Sequence, residues 1–184
     1  MNLYIDFDNT IVNTNKAICS LYDEDFKWYK KYKKVDWSLI DTWDFEELTC
    51  ASKEYINYYF NQPRFFNRLE FMDNAFEVLL MLYEKYNITI VSMGYSPNLK
   101  GKEKWCEKHI PFLKREFINL KKFSDKSHID MSDGILIDDS TKNLTTSNAK
   151  MKICFGDETG WNNNWNGLRC NNWYDVLRKL YETE

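Results

Sequence analysis

Long hydrophobic runs, paired cysteines and a strong excess of one charge are all missing from this sequence of 184 residues. No apolar run approaches the length that spans a membrane. The N-terminus has no basic region followed by an apolar stretch, which is the pattern of a secretory signal. These absences argue against a membrane or secreted protein, and we expect a cytoplasmic protein with no membrane partner.

The cysteines and histidines lack the spacing of a disulfide framework or a zinc site. The five cysteines are Cys19, Cys50, Cys106, Cys154 and Cys170. None of them belongs to a C-x-x-C pair, and neither His109 nor His128 has metal-ligand spacing with any cysteine. We therefore expect reduced thiols in a reducing compartment.

The charge balance excludes a general polyanion-binding protein. The formal net charge is −3, which gives no global attraction to nucleic acid or to anionic membranes. One basic run holds Lys27, Lys30, Lys31, Lys33 and Lys34, but four acids in residues 23–36 dilute its field. We interpret the run as a solvated helix face, so nucleic acid is not an expected partner. The oligomeric state stays open, and a homodimer is compatible with the sequence.

Short apolar runs alternate with segments of helical spacing along most of the chain. Helical periodicity is found in residues 74–86, with Asp73 as a candidate N-cap, and in residues 172–182. Pro97 opens a further helix, which must end before Pro111. The expected strands are residues 3–5, 88–91, 117–120, 135–137 and 151–155. This alternation predicts an α/β fold with a Rossmann-like, mostly parallel sheet and helices on both faces.

Residues 15–70 contain no strand of comparable apolarity and have a helical, aromatic character. We interpret them as a small helical cap that is inserted after the first strand and lies over the end of that strand. The predicted core domain then consists of residues 1–14 and 71–184, and the predicted cap of residues 15–70. A chain of 184 residues is long enough for a core with such an insert.

Two carboxylates at the end of the first strand are the first candidate site residues. Asp6 and Asp8 follow the apolar residues 3–5, and Thr10 comes two positions later. Alternate residues of an extended chain point to the same side, so the two carboxylates can converge. They repel each other unless something positive lies between them. Taken alone, the segment is explained equally well by a turn that Asp and Asn favour.

Three further pieces fall at or near other predicted strand ends. Ser92 and Gly94 end the second strand, where the backbone N–H groups of a glycine turn can approach an anion. Asp138 and Asp139 end the fourth strand, and Lys126 lies in the loop before it. Each piece also has an ordinary interpretation by itself. Ser92 and Gly94 belong to a common loop sequence, Asp138 and Asp139 can cap the next helix, and Lys126 can be an exposed lysine.

Together the pieces meet the requirements of phosphoryl transfer. That chemistry needs a nucleophile in line with the leaving oxygen and cations that neutralise the phosphate oxygens. Asp6, Asp8 and Asp138 can supply the carboxylate and carbonyl oxygens that Mg²⁺ prefers. Ser92 and Lys126 can then hold the phosphate oxygens from the other side. The sequence therefore predicts a magnesium-dependent phosphoryl-transfer site.

The order Asp-x-Asp-x-Thr, strand-ending Ser, Lys and Asp-Asp resembles the haloacid dehalogenase-like hydrolase superfamily. The resemblance implies that Asp6 is the nucleophile and that Asp8 is the general acid and base. The presence of Asp8 favours phosphatases over the dehalogenase branch. The implied phosphate-binding residues are Thr10, Ser92, Met93 and Lys126. The implied Mg²⁺ ligands are Asp6, the backbone carbonyl of Asp8, Asp138 and Asp139.

Flanking residues make the chain similar to the 5'(3')-deoxyribonucleotidase family and its bacterial and phage relatives. Residues 63–70, 102–112 and 125–127 carry this similarity, although Asn9 stands where that family usually has Gly and Thr10 where its animal members have an aliphatic residue. The similarity implies hydrolysis of nucleoside monophosphates, deoxyribonucleotides in particular, through an aspartyl-phosphate. The alternatives are a phosphatase of sugar phosphates, other metabolites or nucleic-acid ends, and an inactive nucleotide-binding protein.

The aromatic residues of the predicted cap either form its own core or stack on a nucleobase. For any single aromatic the core is the commoner role, because large side chains fill small helical domains. Stacking on a base is the functional alternative. Trp43-Asp44 resembles a Trp-Asp pair in the caps of bacterial relatives, so Trp43 is the aromatic that we predict to bind substrate.

Overall fold

The computed structural model describes residues 1–182, and in this range the chain forms one six-stranded parallel sheet. The strands are β1 (Asn2–Ile5), β2 (Asn87–Gly94), β3 (Lys114–Asn119), β4 (Gly134–Asp138), β5 (Met151–Phe155) and β6 (Leu168–Cys170). Their order in the sheet is β3-β2-β1-β4-β5-β6. The predicted fold class is confirmed, and every neighbouring pair of strands is parallel.

The register of the central strands brings their carboxyl ends together. Ile5 of β1 pairs with Ile90 of β2 on one side and with Ile137 of β4 on the other. From β1 the chain first builds one half of the sheet through β2 and β3, and later the other half from β4. A crevice forms at the carboxyl edge where the strand order reverses in this way, and it is where such sheets bind ligands.

Alternation along the strands divides the buried side chains between two faces of the sheet. Ile5, Ile90 and Ile137 belong to a large hydrophobic cluster, whereas the adjacent Val91 and Leu136 belong to a smaller one. Both clusters are packed by helices, which explains why the strands read as continuous apolar runs rather than as alternating ones. The prediction of helices on both faces is therefore correct.

Eight α-helices and one 3-10 turn are present in residues 1–182. The helices are α1 (Thr14–Phe26), α2 (Phe45–Leu48), α3 (Lys53–Tyr59), α4 (Pro63–Phe66), α5 (Ala75–Tyr83), α6 (Ser96–His109), α7 (Thr141–Thr146) and α8 (Trp173–Glu182), and the 3-10 turn is Trp37–Leu39. Helix α1 begins at Thr14 because the Asn13 side chain accepts a hydrogen bond from the backbone N–H of Lys16 at 2.9 Å. Pro97 lies in the first turn of α6, where a missing N–H costs nothing.

The segment from α1 to α4 is entirely helical or irregular, as the sequence predicts, and we call it the helical insert (residues 14–66). Its buried side chains, among them Tyr22, Tyr59 and Phe65, belong to the same large hydrophobic cluster as the side chains of the sheet. The division into a core of residues 1–14 and 71–184 and a cap of residues 15–70 stays a prediction.

Two local expectations are wrong. The N-cap of α5 is Asn74 and not Asp73, and Asn74 has a left-handed backbone with a φ of 63° that an Asn tolerates. The short strand β6 escaped prediction because only three residues form it, at the edge of the sheet. In the described part of the chain, no helix combines the length and the apolar character needed to cross a membrane.

Candidate active site

Asp6 and Asp138 share one buried lysine at the carboxyl edge of the sheet. The Lys126 ammonium donates to Asp6 Oδ1 at 2.5 Å and to Asp138 Oδ2 at 2.5 Å. Lys126 is fully buried and Asp6 is 6% exposed. Burial alone would lower the pKa of Lys126, but the charges of Asp138 and Asp6 outweigh it and raise that pKa above its ordinary value. The lysine is therefore a fixed positive charge between two carboxylates.

Short turns on both sides hold this ion pair in place. In the loop after β3, the Asp125 carboxylate accepts the Ser127 N–H at 2.9 Å, and the Lys126 carbonyl accepts the Ile129 N–H at 3.1 Å. At the end of β4, Asp138 accepts the Ser140 N–H at 2.9 Å, which leads into α7. Asp138 thus binds the backbone that leads into α7 and also belongs to the candidate site, so the two interpretations are compatible.

Negative charge exceeds positive charge around Asp6. Burial raises the pKa of Asp6, the Lys126 charge opposes this, and the neighbouring Asp138 and Asp8 raise it again, to about 7. Burial, followed by the charges of Asp6 and Asp138, also raises the pKa of Asp139 well above its ordinary value. The site therefore favours an additional cation or a proton.

Asp8 belongs to a second cluster, which is organised by Lys102 of α6. The Lys102 ammonium donates to Asp8 Oδ2, to Ser92 Oγ at 2.8 Å and to the Met93 carbonyl at 2.9 Å. Thr14 Oγ1 donates to the other oxygen of Asp8 at 2.8 Å. Both carboxylate oxygens of Asp8 are thus fixed by donors, next to the end of β2.

Lys102 is a site residue that was not predicted from the sequence. The buried side chains of α6 are Asn98, Lys102, Trp105 and Cys106, which follow the spacing of an inward-facing helical stripe. Lys102 is 1% exposed, and a buried ammonium is costly unless it is paired. A lysine on the apolar stripe of a helix was the signal that could have identified it.

The turn after β1 explains the departure from glycine at Asn9. Asn9 has a φ of 50°, in the left-handed region that Gly adopts freely and Asn tolerates better than most residues. Its side chain also accepts the Asn15 N–H at 3.2 Å, at the start of α1. The Thr10 hydroxyl that follows is buried and has no hydrogen-bond partner in residues 1–182. An unpaired buried hydroxyl at this place is a vacant donor for a ligand oxygen.

A cavity of about 280 Å³ opens next to Asp8 and Lys102. The sheet side contributes Met93, and the helical insert contributes Phe60 among others. Asn98 of α6 joins the two sides, because its amide donates to the Phe60 carbonyl at 2.9 Å. The remaining lining residues are Asn57, Asn61, Gly94, Tyr95 and Leu120. The cavity is therefore bounded by both parts of the molecule and reaches the Asp8 carboxylate.

Trp43 does not line this cavity. It packs against Trp161, with ring centroids 5.1 Å apart, and lines a different cavity of about 450 Å³. Trp161 in turn donates its indole N–H to Asp139 Oδ2 at 2.9 Å. Trp43 is thus connected to the acidic cluster through one aromatic ring, and its assignment to substrate binding stays a prediction.

The oxygen donors at the carboxyl edge fit Mg²⁺ by their chemistry. Asp6, Asp138 and Asp139 are buried carboxylates, and burial, together with the charges of neighbouring acids, raises the pKa values of Asp6 and Asp139. Within residues 1–182, no three acidic, histidine or cysteine side chains are arranged around a common metal position. The ammonium of Lys126 lies between Asp6 and Asp138.

The whole chain matches one known family. Residues 1–181 match the family model described as "5' nucleotidase, deoxy (Pyrimidine), cytosolic type C protein". The chain belongs to this 5'-nucleotidase family. The resemblance to the deoxyribonucleotidase family, which residues 63–70, 102–112 and 125–127 carry, is therefore confirmed at the level of the family. No curated protein matches the chain.

Solved structures of haloacid dehalogenase-like hydrolases share the fold of this 5'-nucleotidase family member. A hydrolase of this type from Deinococcus radiodurans, with bound phosphate and sodium, has a TM-score of 0.68 at 11% identity, over 98% of this chain and 95% of that chain. A haloacid dehalogenase-like protein from Streptococcus pneumoniae has a TM-score of 0.62 at 13% identity, over 97% of each chain. Magnesium-bound YfnB from Bacillus subtilis has a TM-score of 0.57 at 16% identity, over 99% of this chain and 97% of that chain.

Proposed function

We propose that this protein is a Mg²⁺-dependent phosphomonoesterase that removes phosphate from nucleoside monophosphates, deoxyribonucleotides in particular. One observation carries the proposal. Two acids two residues apart, Asp6 and Asp8, are each held by a different buried lysine, beside a cavity that the helical insert helps to form. This arrangement gives the two acids separate environments, as two separate roles in one reaction require.

Asp6 is the nucleophile of the proposed reaction. An oxygen of the Asp6 carboxylate attacks the phosphorus atom, and the bond between phosphorus and the sugar oxygen breaks. Asp8, protonated at this stage, donates its proton to the departing sugar oxygen. The products of this step are the free nucleoside and an aspartyl-phosphate on Asp6.

Asp8 serves as the base in the second step. Its carboxylate takes a proton from a water molecule, whose oxygen attacks the phosphorus atom of the aspartyl-phosphate. The bond to Asp6 breaks, inorganic phosphate is released, and Asp8 is protonated again for the next cycle. Lys102 and Thr14 hold the Asp8 carboxylate in a fixed orientation for both proton transfers.

Four residues are proposed to hold the phosphate. Lys126 supplies a positive charge, Ser92 and Thr10 supply hydroxyl groups, and Met93 supplies its backbone N–H. The buried Thr10 hydroxyl, which has no partner among the described residues, supports its assignment to a phosphate oxygen. When bound through Asp6, the Asp8 carbonyl, Asp138 and Asp139, Mg²⁺ neutralises the charge that develops on the phosphate oxygens.

The cavity beside Asp8 is the proposed site of the leaving group. Phe60 and Tyr95 offer aromatic faces for a nucleobase, and Asn57 and Asn61 offer amides for its polar edge. The cavity is bounded by the helical insert, which we propose acts as a cap that excludes bulk water during phosphoryl transfer. Residues of the insert then select the substrate.

The test is phosphate release by the purified protein with Mg²⁺. The substrates are dUMP, dTMP, ribonucleotides, sugar phosphates and an oligonucleotide with a 3'-phosphate. We expect the highest kcat/KM with deoxyribonucleotides, no turnover in the Asp6→Asn variant, and full turnover in Asp133→Asn, which changes an acid at the opposite end of β4. Turnover that survives in Asp6→Asn contradicts the mechanism. A preference for sugar phosphates or nucleic-acid ends contradicts the substrate assignment alone.

A further inference from the structure

A third cavity lies where α6 meets the helical insert. It is a groove of about 410 Å³, with Phe66, Leu69 and Trp105 among the apolar residues that form its floor. Its volume lies within the range of small-molecule sites, roughly 300–1,000 Å³. The residues of the catalytic clusters do not line it, and Asn61 is the lining residue that it shares with the cavity beside Asp8.

Three lysines follow one edge of the groove. Lys100, Lys104 and Lys108 lie four residues apart on α6, which places them on one face of the helix along roughly 12 Å. All three are exposed, and in residues 1–182 none has a carboxylate within ion-pair distance. No acidic residue lines the groove in the described chain. Like charges at this spacing repel each other, and an anion in the groove relieves that repulsion.

The floor offers aromatic surface from two half-buried rings, Phe66 and His109. Trp105 is only 4% exposed, so it supports the floor from within. Its ring stacks on His109, with centroids 4.5 Å apart and planes inclined by 25°. Burial, followed by the charge of Lys108, lowers the pKa of His109, which keeps that ring neutral near pH 7. These neutral rings fit a planar apolar group rather than a second charge.

Close helix packing forms the inner end of the groove. A Cβ atom on Gly101 would lie 2.1 Å from Phe66 Cε2, so only glycine lets α6 approach the insert here. Phe66 therefore lies directly on the backbone of α6, beside the row of lysines. The contact joins an apolar wall of the insert to a basic edge of the core.

We propose that this groove binds a nucleoside triphosphate as a ligand distinct from the substrate. The polyphosphate chain lies along Lys100, Lys104 and Lys108, and the base lies against Phe66 and His109. Charge complementarity selects a polyanion, and the aromatic floor selects one that carries a planar ring. A bare phosphate satisfies only the first requirement, and a nucleoside satisfies only the second.

The groove shares a helix with the catalytic cluster. Lys102, on the inward face of α6, holds Asp8, while the groove lysines occupy the outward face of the same helix. Trp105 also contacts the Phe7 ring, with centroids 5.3 Å apart, and Phe7 lies between the two catalytic acids in the sequence. We therefore expect a ligand in the groove to change the orientation of the Asp8 side chain. This effect on turnover rests on the proposed function, but binding in the groove does not.

The experiment measures ATP binding by isothermal titration calorimetry with EDTA present, so that no turnover occurs. The test variant is Lys100→Gln/Lys104→Gln/Lys108→Gln. The matched control is Lys30→Gln/Lys31→Gln/Lys34→Gln, which removes the same charge from an exposed run elsewhere. We expect ATP to bind the wild type and the control equally, and to bind the test variant roughly tenfold or more weakly, since three ion pairs are lost. Equal binding to all three proteins, or no binding to the wild type, overturns the proposal.

Two further measurements are made. The first distinguishes ATP binding in the groove from ATP binding in the catalytic site, and the second distinguishes the contribution of the base from that of the phosphates. ATP binding that persists in Lys126→Met, which removes the positive charge proposed to hold the substrate phosphate, supports the groove. Binding that a folded Lys126→Met protein has lost assigns ATP to the catalytic site and overturns the proposal. Weaker binding of inorganic triphosphate than of ATP supports a contact between the base and the aromatic floor. Equal binding means that the groove binds polyanions in general, which overturns the assignment of a nucleoside triphosphate. Phosphatase activity is measured separately, with Mg²⁺ and without ATP, and is expected to be unchanged in the lysine variants. A protein with no phosphatase activity that still binds ATP in the groove contradicts only the proposed function.

Discussion

Two buried lysines, Lys102 and Lys126, are the residues that give each acid of the first motif its environment. Neither ammonium is exposed by more than 1%, and each is surrounded by oxygen atoms. An ammonium buried without a partner costs several kcal/mol, so each lysine depends on its acids as much as the acids depend on it. Removal of one lysine should therefore affect one acid far more than the other.

Replacement of Lys102 by Met keeps the length of the side chain and removes the donor that orients Asp8. We expect kcat for a deoxyribonucleotide to fall by roughly 10²-fold or more, because a positioned acid contributes about that much. The loss should be smaller with p-nitrophenyl phosphate, whose leaving group needs little help from an acid. Steady-state kinetics with both substrates measures the difference, and Lys104→Met, on the exposed face of the same helix, is the control. An equal loss with both substrates would indicate a merely structural role for Lys102.

Asn9 combines a left-handed backbone with a hydrogen bond to α1, and two substitutions separate these contributions. Asn9→Ala forces an ordinary side chain into a φ of 50°, which costs about 1–2 kcal/mol, and it also loses the bond to the Asn15 N–H. Asn9→Gly loses the bond but relieves the backbone. We expect Asn9→Ala to reduce the free energy of unfolding by about 1 kcal/mol more than Asn9→Gly does, as measured by urea denaturation. Equal losses would mean that the backbone is not strained at this position.

Asp25 of α1 contacts two other helices of the insert. Asp25 accepts two hydrogen bonds from Arg64 of α4, at 2.6 and 2.5 Å, and one from Tyr59 of α3 at 3.0 Å. The Arg64 hydrogen bonds hold the pKa of Asp25 below its ordinary value of 3.8, and the Tyr59 bond lowers it further against the effect of burial. A single acid thus joins three of the four helices of the insert.

Asp25→Asn should destabilise the protein at pH 7 and have little effect in acid. Because the folded pKa of Asp25 is lowered, its stabilisation is complete above the unfolded pKa and is lost as the pH falls through the folded value. We expect a loss of roughly 1–2 kcal/mol at pH 7, the scale of hydrogen bonds to a charged group near the surface, and a smaller loss at pH 3. Urea unfolding at both pH values measures this, with the exposed Asp73→Asn as the control. A loss that is equal at pH 7 and pH 3 would falsify the role of the Asp25 charge.

At the scale of the whole molecule, the sequence predicted the sheet and the edge where the acids meet, but not how the acids are held. Buried parallel strands appear as short apolar runs, and parallel strands bring their carboxyl ends to one edge, so Asp6 and Asp138 could be assigned to a common place. Lys102 could not, because its partners lie on other elements, distant in the sequence, and only the packing of α6 shows that it faces inward. The same limit applies to Trp43, whose contact with Trp161 joins two loops more than a hundred residues apart.

Because of the charge at the carboxyl edge, we expect the proposed binding of Mg²⁺ to stabilise the whole fold. Asp6, Asp138 and Asp139 are buried around one lysine, so a divalent cation relieves repulsion that the folded state alone bears. Binding at about 100 times the Kd adds about 2.7 kcal/mol to the free energy of unfolding. For a domain of this size that corresponds to a rise in Tm of roughly 5–10 °C.

Thermal unfolding with Mg²⁺ and with EDTA measures the rise in Tm, and a pair of variants assigns it to the site. Asp138→Asn should lose most of the rise, because it removes one of the buried oxygen donors. Asp133→Asn changes an exposed acid at the other end of β4 and should keep the full rise. The comparison is made within each variant, with and without the metal, so a general loss of stability in Asp138→Asn does not affect the result. An equal rise in both variants would place the bound Mg²⁺ away from the carboxyl edge, and the proposed metal ligands would then be wrong.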